Sequence, residues 1–106
     1  MIARMWRGWT RTSDADRYVA YVSKTGIKEY RSTPGNRGAL ILRREQGDRT
    51  EFLTLSFWDS LEAVKGFAGS DVNRAVFYPE DEAFLVDREG SASHFEVIGA
   101  PEQGVL

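Results

Sequence analysis

The chain has 106 residues, 42% of them apolar and 28% charged, with a formal net charge of −2 and no cysteine. That balance fits one folded domain and excludes a disordered or fibrous chain. The small charge leaves no electrostatic footprint for nucleic acid or an anionic membrane, and the missing cysteines exclude disulfides and thiolate chemistry.

Apolar runs are short, as in Ala39 to Leu42, so no segment is expected to span a bilayer. The opening MIARMWRGW carries arginines within its apolar pattern and reads as a strand, not a signal peptide. A cytoplasmic protein is expected.

The first strand is predicted over residues 2–9, with Ile2, Arg4 and Trp6 on one face and Ala3, Met5, Arg7 and Trp9 on the other. Ser13 is the predicted cap of the following helix. Asp14 and Asp16 suit its first turn, and Ala15, Tyr18, Val19 and Val22 recur at helical spacing. Lys24 and Gly26 mark its end, and IKEYRS holds another helical turn before Pro34-Gly35-Asn36 breaks regularity.

Strands are predicted over residues 38–46 and 48–58, joined at Gln46-Gly47-Asp48 by a glycine-led turn into an antiparallel hairpin. On the later strand Leu53, Leu55 and Phe57 take one face, and Phe52, Thr54, Ser56 and Trp58 the other. Asp59 is the predicted cap of the next helix, with Glu62 three residues on. Leu61, Val64, Phe67 and Ala68 form its buried stripe, and Gly69 its stop.

A short helix over residues 71–77 is predicted to bury Val72, Ala75 and Val76. Pro79, followed by Glu80, Asp81 and Glu82, suits another helix start. The turn DREG leads to a last strand over residues 91–99. Residues 1–100 form the single domain and residues 101–106 a tail.

This is the βαββαβ order of the ferredoxin-like α+β class, a four-stranded antiparallel sheet with helices on one face. The strand over 48–58 is apolar at nearly every position, too much for one solvated face. The same sheet of a second subunit is the simplest cover, so a homodimer is expected.

With the elements placed, the run from Thr33 to Leu85 and the closing HFEV resemble the antibiotic-biosynthesis-monooxygenase-type members of the dimeric α+β barrel superfamily. The most specific pieces are S-x-W-x-S-x-E-A (Ser56 to Ala63), F-A-G-x-D (Phe67 to Asp71) and H-F-E-V (His94 to Val97). The resemblance implies a homodimer with paired sheets and a pocket between each sheet and its own helices. The superfamily holds cofactor-free quinone-forming oxygenases, haem-degrading oxygenases, isomerases and decarboxylases.

The haem degraders place a tryptophan in the helix, a haem-ligating histidine one helix later and an asparagine on the first strand. The positions matching the two helix residues hold Phe67 and Phe77, and residues 2–9 contain no asparagine. Phenylalanine cannot ligate iron, so no haem and no other cofactor is expected. What the resemblance then implies is cofactor-independent oxidation of an aromatic quinol or phenol. The substrate is deprotonated, its anion passes an electron to O₂, and the radicals recombine. Such chemistry needs only a base, donors for the anion and a dry aromatic pocket.

The candidate catalytic residues are His94 and Trp58, and the candidate substrate-binding residues are Tyr30, Arg43, Phe67 and Phe77. His94 is the only histidine. It reads either as a general base oriented by Glu96, on the same strand face, or as a structural histidine hydrogen-bonded at a sheet or dimer edge. Trp58 reads as pocket wall or as packing at a strand's end. His94 and Glu96 are too few for a metal site, and none is expected. The third strand lacks the glycines and basic residues of RNA-recognition domains, so no nucleic-acid partner is expected. The rival to an enzyme is a non-catalytic small-molecule-binding or stress-related dimer. The two differ in the gap between sheet and helices. Oxidation needs an open, partly polar cavity reaching His94 or Arg43, whereas a gap without ligand-sized space sets it aside.

Overall fold

Five antiparallel strands build one sheet in the order β2-β3-β1-β4, with β5 also paired to β1. The strands are β1 (Ile2–Arg11), β2 (Asn36–Gln46), β3 (Arg49–Trp58), β4 (Leu85–Arg88) and β5 (Ser93–Glu96). The helices are α1 (Ala15–Lys24), α2 (Gly26–Ser32), α3 (Leu61–Ala68) and the single turn α4 (Asp81–Phe84). The computed structural model describes residues 1–99, and the expected tail lies outside the described residues.

β1 is central. It pairs with β3 from Ile2↔Trp58 to Arg11↔Arg49, while its other edge takes β5 at Ile2↔Glu96 and β4 at Gly8↔Arg88. Two short strands therefore share the place expected for one, and the sheet has five strands, not four. β4 escapes the sequence reading because it follows α4 without a break and is only four residues long. The predicted last strand shrinks to Ser93–Glu96.

Period-two alternation decides which side chains enter the core. Arg4, Trp6 and Thr10 of β1 and Thr50, Phe52, Thr54, Ser56 and Trp58 of β3 lie buried on the helix-covered face. Met5, Trp9, Leu53, Leu55 and Phe57 face the other way and are half-buried. The hairpin forms as predicted: Gln46 pairs with Arg49, and Gly47 supplies φ 72° at the first turn position. A positive φ there alone is the type II′ pattern, which matches strand twist. Under the helices, Tyr18 meets Phe52 edge-on at 4.9 Å, and Val64 and Trp58 are fully enclosed.

Local corrections have physical causes. Ser13 lies in a 3₁₀ turn ahead of α1, and no side chain caps that helix. Gly26 opens α2 instead of ending the helical run, because Thr25 alone breaks the helix. Ser60, not Asp59, caps α3 by accepting the Ala63 N–H at 3.1 Å, and Asp59 pairs with Arg37. Gly69 ends α3 as expected, at φ 87°.

Residues 71–77 form no helix. The Asp71 carboxylate takes the Asn73 N–H, Arg74 bridges to Ser91, and the carbonyls of Val72 and Arg74 turn to Arg4. Those groups are lost to an i→i−4 ladder. The predicted burial is half right in degree: Ala75 is buried, while Val72 and Val76 are partly so.

Candidate functional site

Arg4 sits on the helix-covered face of β1 and is 2% exposed. Its Nη1 donates to the Val72 carbonyl at 2.5 Å and to His94 Nε2 at 3.0 Å. Its Nη2 donates to the Arg74 carbonyl at 2.9 Å. The guanidinium carbon stands 5.7 Å from the Phe67 ring centre, within cation–π range. The cation thus pins the irregular segment after α3 against the sheet.

Beside Arg4 lies a small, partly open chamber of about 30 Å³. Arg4, Trp6 and Thr54 line it from the sheet, Tyr30 from α2 and Phe67 from α3. Tyr78 and Asp81 close it from the helix side. The Asp81 carboxylate accepts the Tyr78 N–H at 2.6 Å, and its burial raises its pKa above the ordinary value. The Tyr78 hydroxyl donates to Glu29 at 2.7 Å, which ties this wall to α2.

The fold brings some of the expected site residues close to one another. Tyr30 and Phe67 stack at 4.2 Å, and each lies 6.1 Å from Trp58. Trp58 is fully buried behind them, however, and its indole N–H is used by Ser56 Oγ at 2.9 Å. It is not a chamber wall. Phe77 lies outside, 38% exposed, edge-on to Trp6 and under the Arg88 guanidinium at 4.4 Å. Arg43 is exposed and pairs with Asp16 at 2.7 Å, beside a separate open depression of 330 Å³.

His94 stands behind Arg4 on β5, and Arg4, not Glu96, is its hydrogen-bond partner. An arginine can only donate, so Nε2 accepts and the ring is neutral with its proton on Nδ1. Burial first, and the Arg4 charge second, lower its pKa. Sequence reasoning missed Arg4, although an arginine between Ile2 and Trp6 on one strand face was the available signal. Among the described residues no three of His, Cys, Asp or Glu gather as metal ligands, and no helix is long and apolar enough to cross a membrane.

This sheet order and helix placement are those of a ferredoxin-like α+β fold. Neither a protein-family model nor a curated protein sequence matches the chain. Solved structures do match in fold. An antibiotic-biosynthesis-monooxygenase-type protein from Bacillus cereus superimposes with a TM-score of 0.66 at 14% identity, covering 94% of this chain and 95% of that one. The haem degrader MhuD from Mycobacterium tuberculosis, with two haems in its active site, gives 0.57 at 16% identity, covering 95% and 99%. A point mutant of MhuD with two manganese protoporphyrins per active site gives 0.59 at 19% identity, covering 95% and 98%. The chain shares the fold of the antibiotic-biosynthesis-monooxygenase-like proteins.

The residues present do not fit a haem. The only imidazole is engaged by Arg4, the chamber is far smaller than a porphyrin, and Phe67 offers no ligand atom.

Proposed function

We propose that the chain is a small-molecule-binding barrel protein, working as a homodimer, whose ligand site is the chamber between sheet and helices. The observation that carries this reading is the chamber's wall, aromatic at Trp6, Tyr30, Phe67 and Tyr78 and interrupted by one buried cation. A mostly apolar enclosure with a few convergent polar groups is the usual form of a small-molecule site. The outward sheet face supports the homodimer, because Met5, Leu40 and Leu55 stand side by side across three strands without helix cover. A cytoplasmic setting accords with the cysteine-free composition.

Binding ranks ahead of catalysis because the chamber reaches neither His94 nor Arg43, and its present volume is small for either role. About 30 Å³ has room for one or two waters, well below the roughly 300 Å³ of ordinary ligand pockets. Cofactor-free oxidation of a quinol or phenol is the second reading. It stands on the fold shared with monooxygenase-type proteins alone, since His94 Nε2 is taken by Arg4 and the chamber reaches neither His94 nor Arg43.

One screen separates the two. Quinols, phenols and aromatic acids are titrated by tryptophan fluorescence while oxygen uptake is followed in parallel. Saturable binding without oxygen uptake is expected. Uptake that disappears in His94→Ala would put oxidation first, and no binding by any class would remove the chamber as a ligand site.

A further inference from the structure

Arg4 brings a guanidinium cation into the interior of the fold. Among the described residues no carboxylate pairs with it. Two carbonyls and a neutral imidazole hold it instead, through three of its five N–H donors, and Nε has no partner within the chain. Thr54 Oγ1 has none either, and Thr54 is 4% exposed. Both residues line the chamber.

The sheet register places them together. Arg4 lies opposite Ser56, and Thr54 is two residues along β3 on the same face, a diagonal pair within reach of a long side chain. A buried cation without an anion carries a desolvation cost that an anionic partner offsets. The guanidinium donor and the hydroxyl offer two hydrogen bonds to one small group. A carboxylate, with two acceptor oxygens and one negative charge, is the group they match. Asp81, on the helix side of the chamber, is already engaged by the Tyr78 N–H.

From this geometry we infer that the chamber's ligand is a small organic acid, whose carboxylate is received jointly by Arg4 Nε and Thr54 Oγ1. The inference rests on the binding reading above and narrows its ligand class. It also gives the sheet side of the chamber a role that Arg43 and Trp58 do not fill.

The test uses the full chain and matched probes. Formate, acetate and benzoate are titrated by calorimetry against formamide, acetamide and benzamide. At least one carboxylate is expected to bind, with its amide at least about tenfold weaker. Thr54→Val, similar in size to the native residue, is expected to weaken the carboxylate about tenfold and leave any amide affinity unchanged. Arg4→Met abolishes the preference where it folds, and Thr54→Val keeps the test readable where it does not. Equal affinity for acid and amide would overturn the inference while leaving the binding reading intact. No binding by these probes or by the aromatic screen would remove both. In crystals soaked with the bound acid, carboxylate density on Arg4 and Thr54 is expected, and an ordered water alone there would overturn the assignment.

Discussion

Arg4 Nη1 and His94 Nε2 lie 3.0 Å apart across the β1–β5 pairing, so the only histidine of the chain is held by a cation. That contact assigns its tautomer and also its response to acid.

His94 should titrate below its ordinary value of 6.5, because burial and the Arg4 charge both disfavour the imidazolium. As pH falls below 6.5 the unfolded chain binds the proton first, so stability is full above that point and declines beneath it. Proton NMR should place the midpoint under 6.5, and His94→Gln should flatten the decline. A midpoint at or above 6.5 contradicts the bond to Arg4.

The uncovered sheet face should be the dimer interface. Leu55 stands between Met5 and Leu40 in the register, so Leu55→Asp sets a charge at its centre. Light scattering after size exclusion should find a wild-type dimer and a variant whose association is weaker by about a hundredfold. A wild-type chain that is monomeric at micromolar concentration refutes the assignment.

Gly8 is fixed by its neighbour. A Cβ there would stand 2.5 Å from the Trp6 ring, and that ring is tethered by its N–H to the Glu89 carbonyl at 2.7 Å. Gly8→Ala should cost roughly 1–3 kcal/mol in chemical denaturation and shift tryptophan emission, as expected for overpacking. An unchanged spectrum and stability would mean that the ring moves freely.

Trp58 should behave as core. Trp58→Phe removes ring volume from a fully buried position and strips Ser56 Oγ of its donor, for a loss of about 2 kcal/mol. Affinity for any chamber ligand should stay near wild type. A large loss of affinity at unchanged stability would return Trp58 to the site.

Haem titration should give no stoichiometric shift of the Soret band, since His94 is already bonded and Phe67 cannot ligate iron. A one-to-one shift would require Arg4 to release the histidine.

Much of this was legible where one local rule governs. Alternation alone sorted Arg4 and Trp6 from Met5 and Arg7, and Thr54 and Trp58 from Leu53 and Leu55. Gly47 located the hairpin because a two-residue turn of that kind needs a positive φ. The failures around the site share one cause, which is a partner distant in sequence. Val72, Ala75 and Val76 have helical spacing, but Arg4 takes the carbonyls a helix there would use. His94 was paired with Glu96 by proximity in sequence, whereas the β1–β5 register gives it Arg4. Arg43 reads as a pocket donor from its own strand alone, yet it stands exposed and paired with Asp16 of α1.

The doubled strand position at the margin of β1 bears on how these molecules crowd together. Between β4 and β5 the chain leaves the sheet, Glu89 N–H returns to the Arg7 carbonyl, and Ala92 N–H goes to Asn73. That margin offers no uninterrupted row of backbone groups to an incoming strand. The opposite margin, β2, carries exposed Arg37, Arg43, Arg44 and Glu45. Neither rim invites strand-by-strand polymerisation, which leaves the broad apolar face as the surface on which the proposed dimer would close after two copies instead of running on into fibres.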